Sequence, residues 1–391
     1  MSTIGSACLP VQSGDPKQLF ETAEFTYIDI ASIDQAEKRI RGPKRLAVEL
    51  APSRARQQVQ PGDILVSTVR PNLNAVAQID SLTDAIASTG FCVLRPDEHR
   101  LSSRYLFHWV KSPSFIDEMV RQATGASYPA VTDAIVKSSR IPLPPMDEQR
   151  QIAKILDQAE ELRAKRRVAI TLLDQLPHAI FLEMFGDPTT NPKGWTLTNL
   201  GAVADVQGGL QVSSSRRALP LETPYLRVAN VYRGCLNLSE IKLIRATESE
   251  IARTALATDD LLIVEGHGNP AEIGRAALWD GSINPCVHQN HLIRARFDQS
   301  AIIPSFASSY INSMAGRQHL LRAGNTTSGL NTISVSDVKR TPILRPPLEA
   351  QNEFASRLAA IQGTKTAHRA ALAELDVLFA SLQCDAFGDA Y

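Results

Sequence analysis

The stretch IPLPPMDEQRQIAKILDQ, residues 141–158, returns 202 positions later as ILRPPLEAQNEFASRLAA, residues 343–360. In that register Pro144, Gln149, Ala153, Leu156 and Arg167 fall on Pro346, Gln351, Ala355, Leu358 and Arg369. Further on, Leu173-Asp174-x-Leu176 meets Leu375-Asp376-x-Leu378, and Phe185-Gly186-Asp187 meets Phe387-Gly388-Asp389. Thirteen of the 44 positions 144–187 are identical, where about three would coincide by chance, so the chain is a duplication. Outside this stretch the halves match more loosely. Tyr27-Ile-Asp-Ile-Ala resembles Tyr225-Leu-Arg-Val-Ala, and Gly62-Asp-Ile-Leu-Val resembles Asp259-Asp-Leu-Leu-Ile. Each half reads as a variable head of about 145–160 residues followed by a better-matched helical segment of about 40.

The helical segments carry apolar residues in steps of three and four. In the first these are Ile152, Ile155, Ala159, Leu162, Ala169, Leu173, Leu176 and Ile180, with one gap at Arg166. In the second they are Phe354, Ile361, Ala371, Leu375, Leu378 and Leu382, with His368 in the place of Arg166. A 3.5-residue period is the seam of a coiled coil. Forty helical residues extend roughly 60 Å, and a seam that long needs a partner. The other helical segment supplies it, and an antiparallel pair with a pseudo-two-fold axis is the natural closure. Pro177 predicts a kink or an early end, because it removes a helical hydrogen bond.

Composition narrows the class. With 391 residues, two or more packed units are expected; 43% apolar and 21% charged residues exclude wholesale disorder. Lys+Arg and Asp+Glu are equal at 41 each, so no uniformly basic sheath is present. No run reaches 18 apolar residues, which predicts no membrane span, and the N-terminal residues lack a secretory signal pattern. Five scattered cysteines, at 8, 92, 235, 286 and 384, suit a reducing cytoplasm.

The PLPP-x-x-EQ opening at 142–149 and the LEMFGDP ending at 182–188, repeated in weaker form in the second half, resemble the specificity subunit of type I restriction–modification systems. The resemblance spans the whole chain through its duplication. It implies an α+β fold with two α+β target-recognition domains separated by an antiparallel two-helix coiled-coil stalk. The division is 1–144 and 188–346 for the recognition domains, and 145–187 and 347–391 for the helical spacers. It further implies a non-catalytic, cytoplasmic subunit in which each domain reads one half of a split double-stranded DNA target. The helical pair then acts as the ruler, and unlike heads imply an asymmetric target. Half-sites one to one and a half turns apart, at ~34–36 Å per turn, suit such a spacer. Expected partners are two adenine methyltransferase subunits and, for cleavage, ATP-driven restriction subunits. S-adenosylmethionine, Mg and ATP belong to those partners, and no cofactor is expected here. One departure stands out: Gly194-Trp195 and Leu200-Gly201 open the second head, whereas the first begins abruptly and lacks such a tryptophan.

Direct searches for chemistry agree with a non-enzyme. No Asn/Asp-Pro-Pro-aromatic loop of an adenine methyltransferase occurs; Asn284-Pro285-Cys286-Val287 comes nearest. No G-x-x-x-x-G-K-[ST] phosphate cradle occurs either. Cys286, His288 and His291, with Cys235 upstream, have zinc-capable side chains but form one cluster where structural zinc needs two, so no metal is expected.

Candidate DNA contacts are local. Lys38, Arg39, Arg41, Lys44, Arg45, Arg54 and Arg56 crowd residues 36–56 against Glu37 and Glu49. They suit phosphate contacts, or a solvated charged face. Arg70, Asn72 and Asn74 follow the strand-like Asp63-Ile-Leu-Val-Ser-Thr; His267 and Asn269 follow the matching strand of the second head. Two loops offer further polar groups: Ser127 and Tyr128 in one, and Asn325, Thr326, Thr327 and Ser328 in the other. Gln289 and Asn290 complete the set. These are base-reading residue types, although turn chemistry explains Asn and Ser equally well. Two alternatives remain: a specificity subunit of a modification-only or other phage-defence system, and a coiled-coil protein-interaction scaffold.

Overall fold

Ile64-Leu65-Val66 is apolar without alternation, the pattern of a strand covered on both faces, and these three and Ser67 are buried. This strand, β1 (Ile64–Ser67), is central in a sheet of the first head. It pairs antiparallel with β2 (Phe91–Pro96) and with Val76–Gln78, and Cys8–Leu9 closes the other edge of β2. A second sheet places Glu24–Ile28 parallel to Ala85–Ser88, with Lys44–Ala47 and Ala55–Val59 antiparallel at the edges. Behind the first sheet lies α1 (Ser103–Val110), with Tyr105, Leu106, Trp109 and Val110 fully buried. The long helix α2 (Met146–Phe185) follows.

The second head repeats this plan. Its central strand β3 (Leu261–Val264) lies between β4 (Leu292–Phe297) and Ala276–Leu278, with Ala204–Gly208 beyond β4. Leu221–Leu226 runs parallel to Val287–His288 and antiparallel to Lys242–Ala246. Helix α3 (Pro304–Asn312) corresponds to α1, and α4 (Leu348–Phe387) to α2. This computed structural model describes residues 2–20, 23–327 and 330–388, with the side chains of 325–331 excepted. Two compact units emerge: residues 1–167 with 370–391, and residues 168–369.

The first head does open as the second does. Ser2–Thr3 pairs with Arg140–Ile141 and leads into a 3-10 turn at Gly5–Ala7. Thr196–Asn199 pairs with Pro342–Arg345 and leads into Leu200–Ala202. Ile4-Gly5 thereby answers Leu200-Gly201. A Cβ on Gly5 would lie 3.0 Å from Cβ of Lys137, and one on Gly201 2.9 Å from Cβ of Lys339. The same close approach requires glycine in both heads. A two-residue strand is too short for a periodic signal, so the sequence did not reveal it.

In the first unit, Ala153, Leu156 and Ala159 near the start of α2 share a core with Phe379 and Phe387 near the end of α4. In the second, Phe181 and Phe185 near the end of α2 share a core with Phe354 near the start of α4. The helices are antiparallel in both units. Each unit also carries the same ion pair: Arg163 Nε lies 2.6 Å from Asp376, and Lys365 pairs with Asp174. Arg163 also stacks over Phe379 at 4.4 Å.

The seam differs from the apolar pattern. Phe354 is buried, Ile152, Ile180 and Leu382 pack partly buried against the cores, and Leu173, Ile361 and Leu375 are half-buried. Ile155 (40%), Leu162 (51%), Leu176 (41%) and Leu378 (50%) are exposed instead. Leu156, Arg163, Pro177 and Phe379, each one residue on, turn inward in their place. One residue is a 100° rotation, and an inward arginine and proline hid it from a reading based on apolarity. Pro177 does not end α2, since the helix runs through to Phe185. By composition an 18-residue window of α2 is apolar enough to cross a membrane. Its outward residues include Val168, Leu172 and Leu176, while Asp174 pairs with Lys365 on a helix already packed along one side.

Candidate nucleic-acid interface

Beyond β1 the chain leaves the first head's core while still hydrogen-bonded. Thr68 accepts from Val131 N–H (2.9 Å), Val69 bridges Ala130, and Arg70 N–H donates to Pro129 O (2.7 Å). The loop 124–130 is itself closed by mutual hydrogen bonds between Thr124 and Ala130. This seats the Arg70 guanidinium over the Tyr128 ring, 4.7 Å from its centroid, with Tyr128 68% exposed. A 3-10 turn, Pro71–Leu73, then carries exposed Asn72 to Asn74. The Lys38 ammonium donates to Asn74 O at 2.6 Å. Lys38, Arg70, Asn72, Asn74 and Tyr128, from three separate segments, thus meet at one place with Ser127 beside them. Lys38, Arg70 and Asn74 are also three of the six described non-glycine residues with positive φ, at 55°, 49° and 44°. Left-handed backbone costs free energy, and such strain gathers where side chains are aimed for a purpose.

The second head builds the same device from other residues. Beyond β3, Gly266–His267 pairs with Asn331–Thr332, and Asn325–Thr327 completes a three-stranded ribbon. The side chains of Asn325, Thr326 and Thr327, and the whole of Ser328, lie outside the described residues. His267 Nδ1 accepts from Asn269 N–H (3.0 Å), while the Asn269 side chain caps the following turn by accepting from Ala271 N–H. Gln289 and Asn290 are held by their backbones, which donate to Leu226 O (3.0 Å) and Leu210 O (2.8 Å). Glu265 joins the two groups. It donates its N–H to His291 O and accepts from Ile333 N–H.

Residues 34–172 and 192–376 match the family model described as the type I restriction modification DNA specificity domain. The chain belongs to that family. It is 26% identical over 323 residues to the EcoKI specificity subunit of Escherichia coli K12, covering 77% of this chain and 68% of that protein. The StySPI specificity subunit of Salmonella potsdam is likewise 26% identical over 318 residues, with the same shares covered. Among solved structures, a chain of a type I R-M system assembly is 27% identical with a TM-score of 0.65, over 98% of this chain and 96% of that one. The HsdS subunit from Thermoanaerobacter tengcongensis is 27% identical with a TM-score of 0.50, over 98% and 95%. As a specificity subunit the chain is a non-catalytic DNA-recognition component.

The basic cluster of the specificity subunit is less positive than its sequence window. Arg41 pairs with Glu37 and Asp34, Lys44 with Asp29 (2.6 Å), Arg45 with Glu24 (3.2 Å) and Arg56 with Asp15 (2.9 Å). Most of these acids lie outside residues 36–56, so counting the window missed them. Arg39 and Arg54 are exposed and make no ion pair among the described residues. Exposed pairs contribute little, so phosphate oxygens would replace those carboxylates at small cost.

Among the described residues one set of three side chains has metal-ligand geometry: His108, Asp157 and Glu160. Its charges are already matched. Asp157 accepts from Arg104 and from His108 Nε2–H (2.8 Å), and Glu160 accepts from Lys111 (2.6 Å). Despite partial burial, the His108 and Arg104 hydrogen bonds hold the Asp157 carboxyl well below the usual carboxylate range; burial lowers His108 and keeps it neutral. The network ties α1 to α2 and is structural. At the matching positions the second head has Ser305, Ser309, Asn312, Ala359 and Gln362, and a cavity of about 1020 Å³ opens there. The Cys235, Cys286, His288 and His291 set is not gathered: Cys286 and His288 are buried while Cys235 and His291 are exposed.

His288 has a different use. Its Nδ1–H donates to Thr254 O (3.2 Å), and burial, reinforced by Arg294, pushes the imidazole down to about 4. The folded chain keeps it neutral, whereas an unfolded chain protonates near 6.5. Stability is therefore full above pH ~6.5 and falls as pH drops toward 4, by up to about 3 kcal/mol. Between pH 7 and 4.5 the urea midpoint of the wild type should fall more steeply than that of His288→Asn; parallel slopes would exclude His288 as the source.

Proposed function

We propose that this specificity subunit reads a bipartite, asymmetric double-stranded DNA target. The first half-site falls to Lys38, Arg70, Asn72, Asn74, Ser127 and Tyr128, and the second to His267, Asn269, Gln289, Asn290, Asn325, Thr326, Thr327 and Ser328. The observation that carries this reading is the repeated device: a buried central strand runs out of the core into a loop or ribbon, with unlike side chains on it in the two heads. Equal backbones with unequal readers suit two different sequences. Residues 1–144 and 188–346 are the recognition domains, and 145–187 and 347–391 form the spacer between half-sites.

Each unit has its own outward apolar residues on the helices, Ile155, Leu162 and Val377 in one and Val168, Leu172 and Leu176 in the other, and each set offers a surface for one adenine methyltransferase subunit. Restriction subunits join in a complete system, and S-adenosylmethionine, Mg and ATP are held by those partners. The assembly works in the cytoplasm. With no net charge on this chain, phosphate contacts are shared with the partners.

Methylome sequencing of cells expressing the chain with its methyltransferase tests the reading. A bipartite motif with modified adenine is the expected result, and a continuous or absent motif would oppose it. Arg70→Ala is expected to weaken selection in the first half-site alone, by about 1–3 kcal/mol. Equal loss in both halves would count against the assignment.

A further inference from the structure

Strand β3 leaves the hydrophobic core at a single residue. Leu261, Leu262, Ile263 and Val264 are fully buried, and Glu265 comes next, half-buried. Its backbone is held from two sides: its N–H donates to His291 O (3.0 Å) and its carbonyl accepts from Ile333 N–H (2.9 Å). One neighbour ends the turn carrying Gln289 and Asn290; the other ends the ribbon carrying Asn331. In the first head Thr68 occupies the same place, donating its N–H to Gly90 O and accepting from Val131, and its hydroxyl donates to Gly90 O (3.0 Å). Thr68 is self-sufficient. Glu265 is not, for its carboxylate has no hydrogen bond or ion pair among the described residues. Burial alone pushes it up to about 7. Glu265 stands between β3 and the short strand Gly266–His267, two residues before His267.

We propose that the Glu265 carboxylate is a base-reading acceptor of the second head, taking a hydrogen bond from an exocyclic amino group on a base edge, cytosine N4 or adenine N6. The inference rests on the DNA-recognition reading above. An amino donor at the carboxyl favours its ionised form, which has only acceptors, so it pairs with these amino groups and repels guanine O6/N7 and thymine O4. Phosphate oxygens repel it as well, so it would not act as a backbone contact. A carboxylate without a partner, on backbone fixed from both sides, is a costly feature for stability and a well-placed one for discrimination.

The test uses the complete complex with its methyltransferase subunits, assembled with wild type, Glu265→Gln or Glu265→Ala and applied to a randomised duplex library. The wild type should return a bipartite motif; failure to do so removes the DNA-recognition reading and this inference with it. Both variants should lose about tenfold to hundredfold preference at one position of the second half-site, leaving the first half-site unchanged. The wild-type base there, cytosine or adenine, identifies the donor. An unchanged second half-site in both variants overturns the inference. So does loss spread evenly over that half-site with a lowered unfolding temperature, which would mark a structural role.

Discussion

Replacing Phe185 by alanine is expected to destabilise the unit formed by residues 168–369 by about 3–5 kcal/mol, among the largest effects of any single truncation here. Phe185 is fully buried, and its ring lies 5.2 Å from Phe181, 4.8 Å from Phe306 and 5.4 Å from Phe354, centroid to centroid. These rings come from α2, α3 and α4. Truncation therefore removes transfer free energy, leaves a cavity and loses three aromatic pairs at once. Thermal unfolding should show a midpoint lowered by roughly 10 °C. Phe185→Leu, which fills most of the volume, should cost far less. Phe387, its repeat partner, packs 5.4 Å from Tyr105 and 5.3 Å from Trp109 in the other unit, and Phe387→Ala should behave alike there. An unshifted midpoint in Phe185→Ala would refute the packing role.

Gln149 and Gln351 come second. Gln351 is fully buried; its Oε1 accepts from Ile303 N–H (2.8 Å), and its Nε2 donates to Ala301 O (3.2 Å) and Pro346 O (2.9 Å). Gln149 repeats the set with Ser102 N–H (3.0 Å), Arg100 O (3.0 Å) and Pro144 O (2.9 Å). Each amide thus holds the start of a head helix against the proline turn that begins a long helix. Methionine would fill the space but strand one donor and two acceptors, at about 1–3 kcal/mol per group, so a loss of at least about 3 kcal/mol is expected. Glutamate keeps the acceptor, loses both donors and buries a charge. Gln351→Glu should therefore unfold at lower urea than Gln351→Met at pH 7. The reverse order would show that the acceptor kept for Ile303 N–H outweighs the buried charge.

Gln149 and Gln351 were visible in the repeat as a match without a role. Identity 202 positions apart said that both copies need glutamine, and the hydrogen bonds say why. Asp174 and Asp376 behave likewise, since their partners Lys365 and Arg163 align in the repeat but differ in type. Arg70 and Tyr128 were separate candidates on a turn and a loop; the Val69–Ala130 bridge and a left-handed Arg70 put one over the other. Glu265 is not marked out in the sequence. No local pattern marks a carboxylate that lacks a partner, because that property belongs to its surroundings.

Duplication, helix length and antiparallel closure follow from the chain by itself, because repeat register and apolar period are local quantities that survive without coordinates. Tertiary structure decided how the long helices are rotated. In the first unit Phe379 and Phe387 pack into the core with Leu156, and Arg163 lies over Phe379, leaving Ile155 and Leu162 outside. It also decided that the basic cluster is largely paired, through acids as distant in sequence as Asp15 is from Arg56. Both depend on which side chains meet across long separations, and a 3.5-residue period says that a face is apolar without saying what that face will touch.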